Sequence, residues 1–151
     1  MAEWSEYQEK VAKFFRDLGL DAATNVEVRG VRTKHDVDVL VKSKHVGLDI
    51  MWLVECKAWN SAVPKEKVLA IRTIVDDTGA DRGFIMAEKG YQSGALEAAR
   101  LANVTLTSLA DLKETLDYEI GISRLKSLLV RIDSCRDRYW DLGKYDRIEH
   151  G

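Results

Sequence analysis

The sequence predicts an α/β sandwich built on a mixed central sheet. Three observations carry that prediction. Helical and strand periodicities follow one another as helix, three strands, helix, strand, helix, strand. Short connections join the first three strands, the pattern of an antiparallel meander. A helical segment separates each of the later strands, and β-α-β connections of this kind imply parallel pairing with a right-handed crossover. At 151 residues the chain can bury one proper core.

Each element has its local reason. Trp4, Tyr7, Val11, Phe14, Phe15 and Leu18 recur at three- and four-residue steps, so a first helix runs from about Trp4 to Leu18 and stops at Gly19. On that spacing Gln8 and Glu9 lie off the main apolar stripe. Asn25–Arg29 alternates polar and apolar residues and reads as a strand closed by Gly30. Strands follow at about His35–Lys42 and Ile50–Ala58, joined by a polar turn over 43–49. Pro64 suits the first turn of a helix whose inner face is Val68, Ile71 and Val75, widened by Leu69 and Ile74 and ended by Gly79. Gly83–Ala87 has the pattern of a fully covered strand. Ser93 is placed to cap the next helix, which presents Ala95, Ala98, Ala99 and Ala102 to the sheet. Val104–Leu106 is a last strand, and Ser108–Asp111 resembles a capping box.

From about Asp117 the character changes. Ile122, Leu125, Leu129, Ile132 and Tyr139 fall on heptad spacing, interrupted by Arg136. The domain reading is therefore 1–116 for the sandwich and 117–151 for a C-terminal helical extension. The stripe suggests a homodimer.

Bulk properties exclude several classes. No stretch is apolar for long enough to cross a bilayer and no signal peptide opens the chain, so the expectation is a cytoplasmic protein with no membrane role. Cys56 and Cys135 do not make a disulfide framework, and Cys56 reads as a buried thiol. No His/Cys cluster has zinc spacing. The net charge of −2 does not advertise nucleic-acid binding. Between Arg29 and Arg72, however, nine basic residues face five acids.

The chemistry concentrates in two strands that want to be buried yet carry charge. Asp36 and Asp38 share one face of the first, and Glu55 and Lys57 share one face of the second. A buried carboxylate is costly unless paired or bound to a metal. Asp38 and Glu55 on neighbouring strands, with the Cys56 carbonyl as third oxygen, would suit Mg²⁺, with Mn²⁺ as substitute. Lys57 would orient or help deprotonate an attacking water, or stabilise charge on a phosphorane. The bland alternative is a structural ion pair among Asp38, Glu55, Lys57 and Arg32. Asp36 is a second candidate acid, and His35 sits beside the strand.

Five ordered blocks extend this pattern: Tyr7-Gln8-x-x-Val11-Ala12-x-Phe14-Phe15-Arg16-x-Leu18-Gly19, Gly30-Val31-Arg32-Thr33-x-His35-Asp36-Val37-Asp38-Val39, Val54-Glu55-Cys56-Lys57-x-Trp59, Gly79-Ala80-Asp81-x-Gly83-Phe84 and Gly90-Tyr91-Gln92-Ser93-Gly94-Ala95. Together they resemble the Mrr-like restriction endonuclease family of the PD-(D/E)xK nuclease superfamily, over roughly Trp4 to Leu109. The resemblance implies a restriction-endonuclease-like αβββαβ sandwich and a metal-dependent DNA endonuclease serving in defence against foreign or modified DNA. It selects Asp38 over Asp36 as the strand acid, makes Asp38 and Glu55 metal ligands and Lys57 the catalytic lysine, and adds a functional glutamine at Gln92. Many relatives carry an acid on the first helix; here that position is Gln8, with Glu9 beside it. This departure, the net charge and the heptad tail define an alternative, a catalytically silent nuclease-fold module for DNA binding or assembly.

Overall fold

A computed structural model describes residues 3–143, apart from the side chain of Ser123. The order of elements is α1 (Glu3–Asp17), β1 (Asp21–Arg29), β2 (Lys34–His45), β3 (Leu48–Lys57), α2 (Lys65–Thr78), β4 (Arg82–Ala87), α3 (Ser93–Ala99), β5 (Val104–Thr107) and α4 (Leu109–Asp141). The strands form one five-stranded sheet in the order β1-β2-β3-β4-β5. β1, β2 and β3 pair antiparallel, whereas β4 and β5 join in parallel, so the sheet is mixed as the sequence predicts.

The residues explain where the core sits. Val37, Leu53 and Ile85 from the strands meet Val68, Ile71 and Val75 of α2 and the small Ala95 and Ala98 of α3 in one buried cluster. Gly83 lets α2 approach the sheet; a Cβ there would stand 2.9 Å from Val75 Cγ2 and 3.1 Å from Ile71 Cγ1. Beside α1, Phe15 packs edge-on against Trp52 and Phe84, with ring centroids 6.3 Å away in both cases.

Four local expectations are corrected. β1 begins at Asp21 rather than Asn25, because pairing with Lys42–Val39 draws Ala22 and Ala23 into the sheet despite their weak strand preference. Residues 43–49 are not an open turn: the ladder runs out to His45–Leu48 around a two-residue loop, Val46 and Gly47, both at positive φ. Gln92, not Ser93, holds the N-cap position of α3, and its side chain makes no capping bond. Finally, the buried residues of α1 are Gln8, Val11, Ala12 and Phe15, which puts Gln8 on the inward stripe.

The Ser108 capping is present in half: its Oγ accepts the Asp111 N–H at 3.0 Å. The helix that it opens continues unbroken to Asp141. By its internal contacts the chain separates into two compact units, Met1–Asp111 and Leu112–Gly151. Within the second unit Leu125, Leu129 and Ile132 are exposed along α4. No helix among the described residues is long and apolar enough to cross a membrane.

Candidate active site

The site lies where two sheet ladders part. The β2–β3 ladder starts at Val39–Val54 and runs to the hairpin, while the β3–β4 ladder continues on to Lys57–Ala87. Residues 55–57 therefore keep a neighbour on the β4 side and lose the one on the β2 side. Asp38 is the only β2 position that pairs in neither of its two ladders. Across from it on β1, Asn25 takes a φ of 52°, outside the strand region. In place of a main-chain partner, the Asp38 carboxylate accepts the Cys56 N–H at 2.7 Å. An obligatory backbone donor freed by the fork is thereby satisfied, and the carboxylate is fixed beside β3.

Strand alternation places Glu55 and Lys57 on one face of β3, and their side chains form an ion pair. The Lys57 ammonium stands 5.2 Å from the centre of the Trp59 ring, and Lys67 stands 5.4 Å from it. Both distances lie in the cation–π range. Burial, and then the charge of Glu55, push the Asp38 carboxyl above the ordinary carboxylate value. The Cys56 N–H, Lys57 and Gln8 pull in the opposite direction. The Cys56 thiol is raised far above its usual value by burial first and then by Asp38 and Glu55, so it is an inert core group. Its carbonyl accepts the Trp4 indole N–H at 3.4 Å.

An open cleft of about 200 Å³ adjoins Lys57, lined among others by Tyr7, Lys10, Trp59, Asn60 and Glu88. The Tyr7 hydroxyl donates to Glu88 Oε1 at 2.7 Å, and the same oxygen accepts the Leu109 N–H at 2.8 Å. Burial, reinforced by Glu88, raises the Tyr7 phenol well beyond its normal range. Tyr7 is thus a neutral hydrogen-bond donor. Trp52, within β3, is half-buried against Phe84, whereas Trp59, just past the strand, is more than a third exposed at the cleft.

The other candidates take different places. Asp36 is exposed and opposite Glu27 of β1. His35 points to the face of β2 away from Asp38, where its Nε2 lies 2.7 Å from Asp77 Oδ2. Glu9 pairs with Arg16 on the exposed side of α1. Gln92 is exposed ahead of α3; its N–H donates to the Val63 carbonyl at 3.0 Å and its carbonyl accepts the Ala95 N–H at 2.9 Å. It is not among the residues lining the cleft.

Asp77, which the sequence did not single out, holds the β1–β2 connection together. It accepts from the Arg32 side chain at 2.8 Å and the Arg32 and Thr33 N–H groups at 3.0 and 3.4 Å. Arg32, and then His35, keep its carboxyl well below the usual range. Gly30 is required there, because a Cβ would fall 2.0 Å from Asp77 Oδ2.

The donor set Asp38, Glu55 and Cys56 C=O consists of hard oxygens, as magnesium or manganese requires. Among the described residues no three or more His, Cys, Asp or Glu side chains cluster as ligands. A cation here would have two carboxylates and a main-chain oxygen as its candidate ligands. Burial first, and then the charge of Glu55, disfavour the Asp38 carboxylate, the physical mark of a place where a cation would be welcome.

Residues 1–116 match the Mrr_cat family, described as restriction endonuclease. Among solved structures, the protein of unknown function AF1548 superposes with a TM-score of 0.59 at 19% identity, covering 70% of this chain and 57% of that one. The MspJI restriction endonuclease, solved in complex with a 27-mer oligonucleotide, gives a TM-score of 0.44 at 15% identity, covering 70% of this chain and 26% of that one. The chain thus spans 57% and 26% of the lengths of these two structures. No curated protein matches it.

Proposed function

Because the chain belongs to the Mrr_cat restriction endonuclease family, we propose that it is a divalent-metal-dependent endonuclease that hydrolyses phosphodiester bonds in DNA. Restriction of foreign or modified DNA, in the cytoplasm, is the role we assign to it. The observation that carries this reading is the fork between β2 and β3, which gathers Asp38, Glu55 and Lys57 within the family-matched segment. Asp38, Glu55 and the Cys56 carbonyl would hold Mg²⁺, or Mn²⁺ in its place, which polarises the scissile phosphate and lowers the pKa of bound water.

The chain's own groups do the rest. Glu55 anchors the Lys57 ammonium, so its position is fixed before substrate arrives. Lys57 donates to the attacking water or to a non-bridging phosphate oxygen, countering the charge that builds during in-line attack. Lys10 at the cleft supplies a further donor for the phosphate backbone. Gln92, presented at the head of α3, is assigned a supporting contact to the substrate from outside the cleft. The exposed stripe of α4 is assigned to a homodimer, since cutting both strands of a duplex calls for two centres.

A plasmid-nicking assay with Mg²⁺ tests the central claim. Wild type is expected to nick and linearise the plasmid, and Asp38→Ala to leave it supercoiled; equal behaviour of the two would refute it. The exposed Gln92 and the neutral Gln8 favour one rival, a module of this fold that binds DNA or a partner without cutting it. For such a module, calorimetry with Mn²⁺ should show no uptake that depends on Asp38 or Glu55.

A further inference from the structure

Gln8 is fully buried on the inward stripe of α1. Among the described residues, its amide nitrogen and oxygen are the buried side-chain polar atoms that lack any hydrogen-bond partner. Trp4, one turn earlier on the same face of α1, reaches the Cys56 carbonyl at 3.4 Å, and Asp38 holds the Cys56 N–H at 2.7 Å, so Gln8 faces the fork beside Asp38; neither of its amide atoms reaches hydrogen-bonding geometry with a protein group. Burying an amide without partners forfeits its hydration, and a methionine would fill the same space without that cost. A group so placed needs a partner that is not part of the folded chain. The neighbouring carboxylate says which kind: a water molecule, to which an amide can both donate and accept.

We infer that Gln8 is a positioning residue of the cation centre, holding a water of the divalent ion's hydration shell against Asp38. The inference rests on the reading that Asp38 and Glu55 bind a cation. Magnesium and manganese retain several waters when few carboxylates bind them, and outer-sphere partners of this kind typically carry about 10–100-fold in affinity. Gln8 adds no charge of its own, so Asp38, Glu55 and Lys57 leave the centre with one net negative charge.

The test uses the full chain as wild type, Gln8→Met, Gln8→Glu and Asp38→Ala, with Mn²⁺ titrations by calorimetry and thermal melts in EDTA and in Mn²⁺. Gln8→Met is expected to melt no lower than wild type in EDTA while its Kd for Mn²⁺ weakens about tenfold or more. Gln8→Glu is expected to melt lower in EDTA, through repulsion by Asp38, and to bind Mn²⁺ more tightly. If wild type takes up Mn²⁺ in an Asp38-dependent way and both Gln8 variants bind it equally well, the role of Gln8 is refuted and the cation site stands. If wild type takes up no Mn²⁺, the cation reading and this inference fall together. Should Gln8→Met not fold, Gln8→Glu decides alone.

Discussion

Lys57→Met separates a catalytic lysine from a structural one. The side chains of Lys57 and Glu55 are 11% and 29% exposed, so their ion pair is mostly shielded from water. At hydrogen-bonding separation, about 2.8 Å, and an effective dielectric of about 20, the gross attraction is about 6 kcal/mol. Desolvation of both ions offsets most of it, leaving a net contribution of about 1–2 kcal/mol. Methionine keeps the stem's packing, so the variant should lose that much and melt roughly 3–8 °C lower. Removing a cation from beside two carboxylates should also leave Mn²⁺ binding as tight as before, or tighter. Cleavage should behave quite differently. If Lys57 acts on the water or the developing phosphorane, kcat should fall by about 10²–10⁴-fold, equivalent to ~3–5.5 kcal/mol of barrier. The assay is single-turnover cleavage of a supercoiled plasmid at 25 °C, with circular dichroism confirming that the variant is folded. A variant that melts lower yet cuts within tenfold of wild type would make Lys57 only the partner of Glu55.

Other perturbations read other parts of the fold. Asp77 has a depressed carboxyl pKa in the folded state, so its contribution is present above the unfolded carboxylate pKa of about 3.9 and is lost as pH falls toward the folded value. Melts between pH 5 and pH 3 should therefore fall more steeply for wild type than for Asp77→Asn; parallel curves would show that Arg32 and His35 do not hold that charge. Val46 carries a β-branched side chain at a φ of 51° in the β2–β3 hairpin. Val46→Asn, which creates the Asn-Gly pair preferred by such turns, should stabilise by about 1 kcal/mol in urea unfolding, and a loss of stability would overturn the turn assignment. For α4, light scattering should give twice the 17.1 kDa chain mass for wild type. Leu125→Glu combined with Ile132→Glu should return the single-chain value; an unchanged mass would remove the stripe from the interface.

What the sequence made legible follows from how local each cause is. Alternation in β2 and β3 is a property of a few neighbouring residues, so the charged faces holding Asp38, Glu55 and Lys57 were readable before any packing was known. The small residues Ala95, Ala98 and Ala99 of α3 and the mixed pairing were also readable, although α3 ends at Ala99 and leaves Ala102 beyond it. Gln8 was not, because a polar residue at an apolar period reads as an exposed one, and only the place where α1 rests reveals otherwise. Asp77 at the end of α2 looks like any solvent acid; its role appears only when a connection 44 to 45 residues earlier in the chain is folded onto it. The hairpin at Val46 hid behind a run of polar residues that pair across strands instead of forming a loop. Each miss is a case of tertiary context overriding local preference.

The two borders of the sheet bear on how the protein behaves at high concentration. A sheet edge with a long flat row of unpaired main-chain groups invites another chain to add a strand. One border here is β1, whose exposed positions include Asp21, Glu27 and Arg29 and whose line is broken by Asn25 in the left-handed region. The other is β5, only four residues long. Both borders are thereby blunted against edge-to-edge aggregation. The kink at Asn25, across from the unpaired Asp38, thus also helps to keep the sheet from growing at its β1 border.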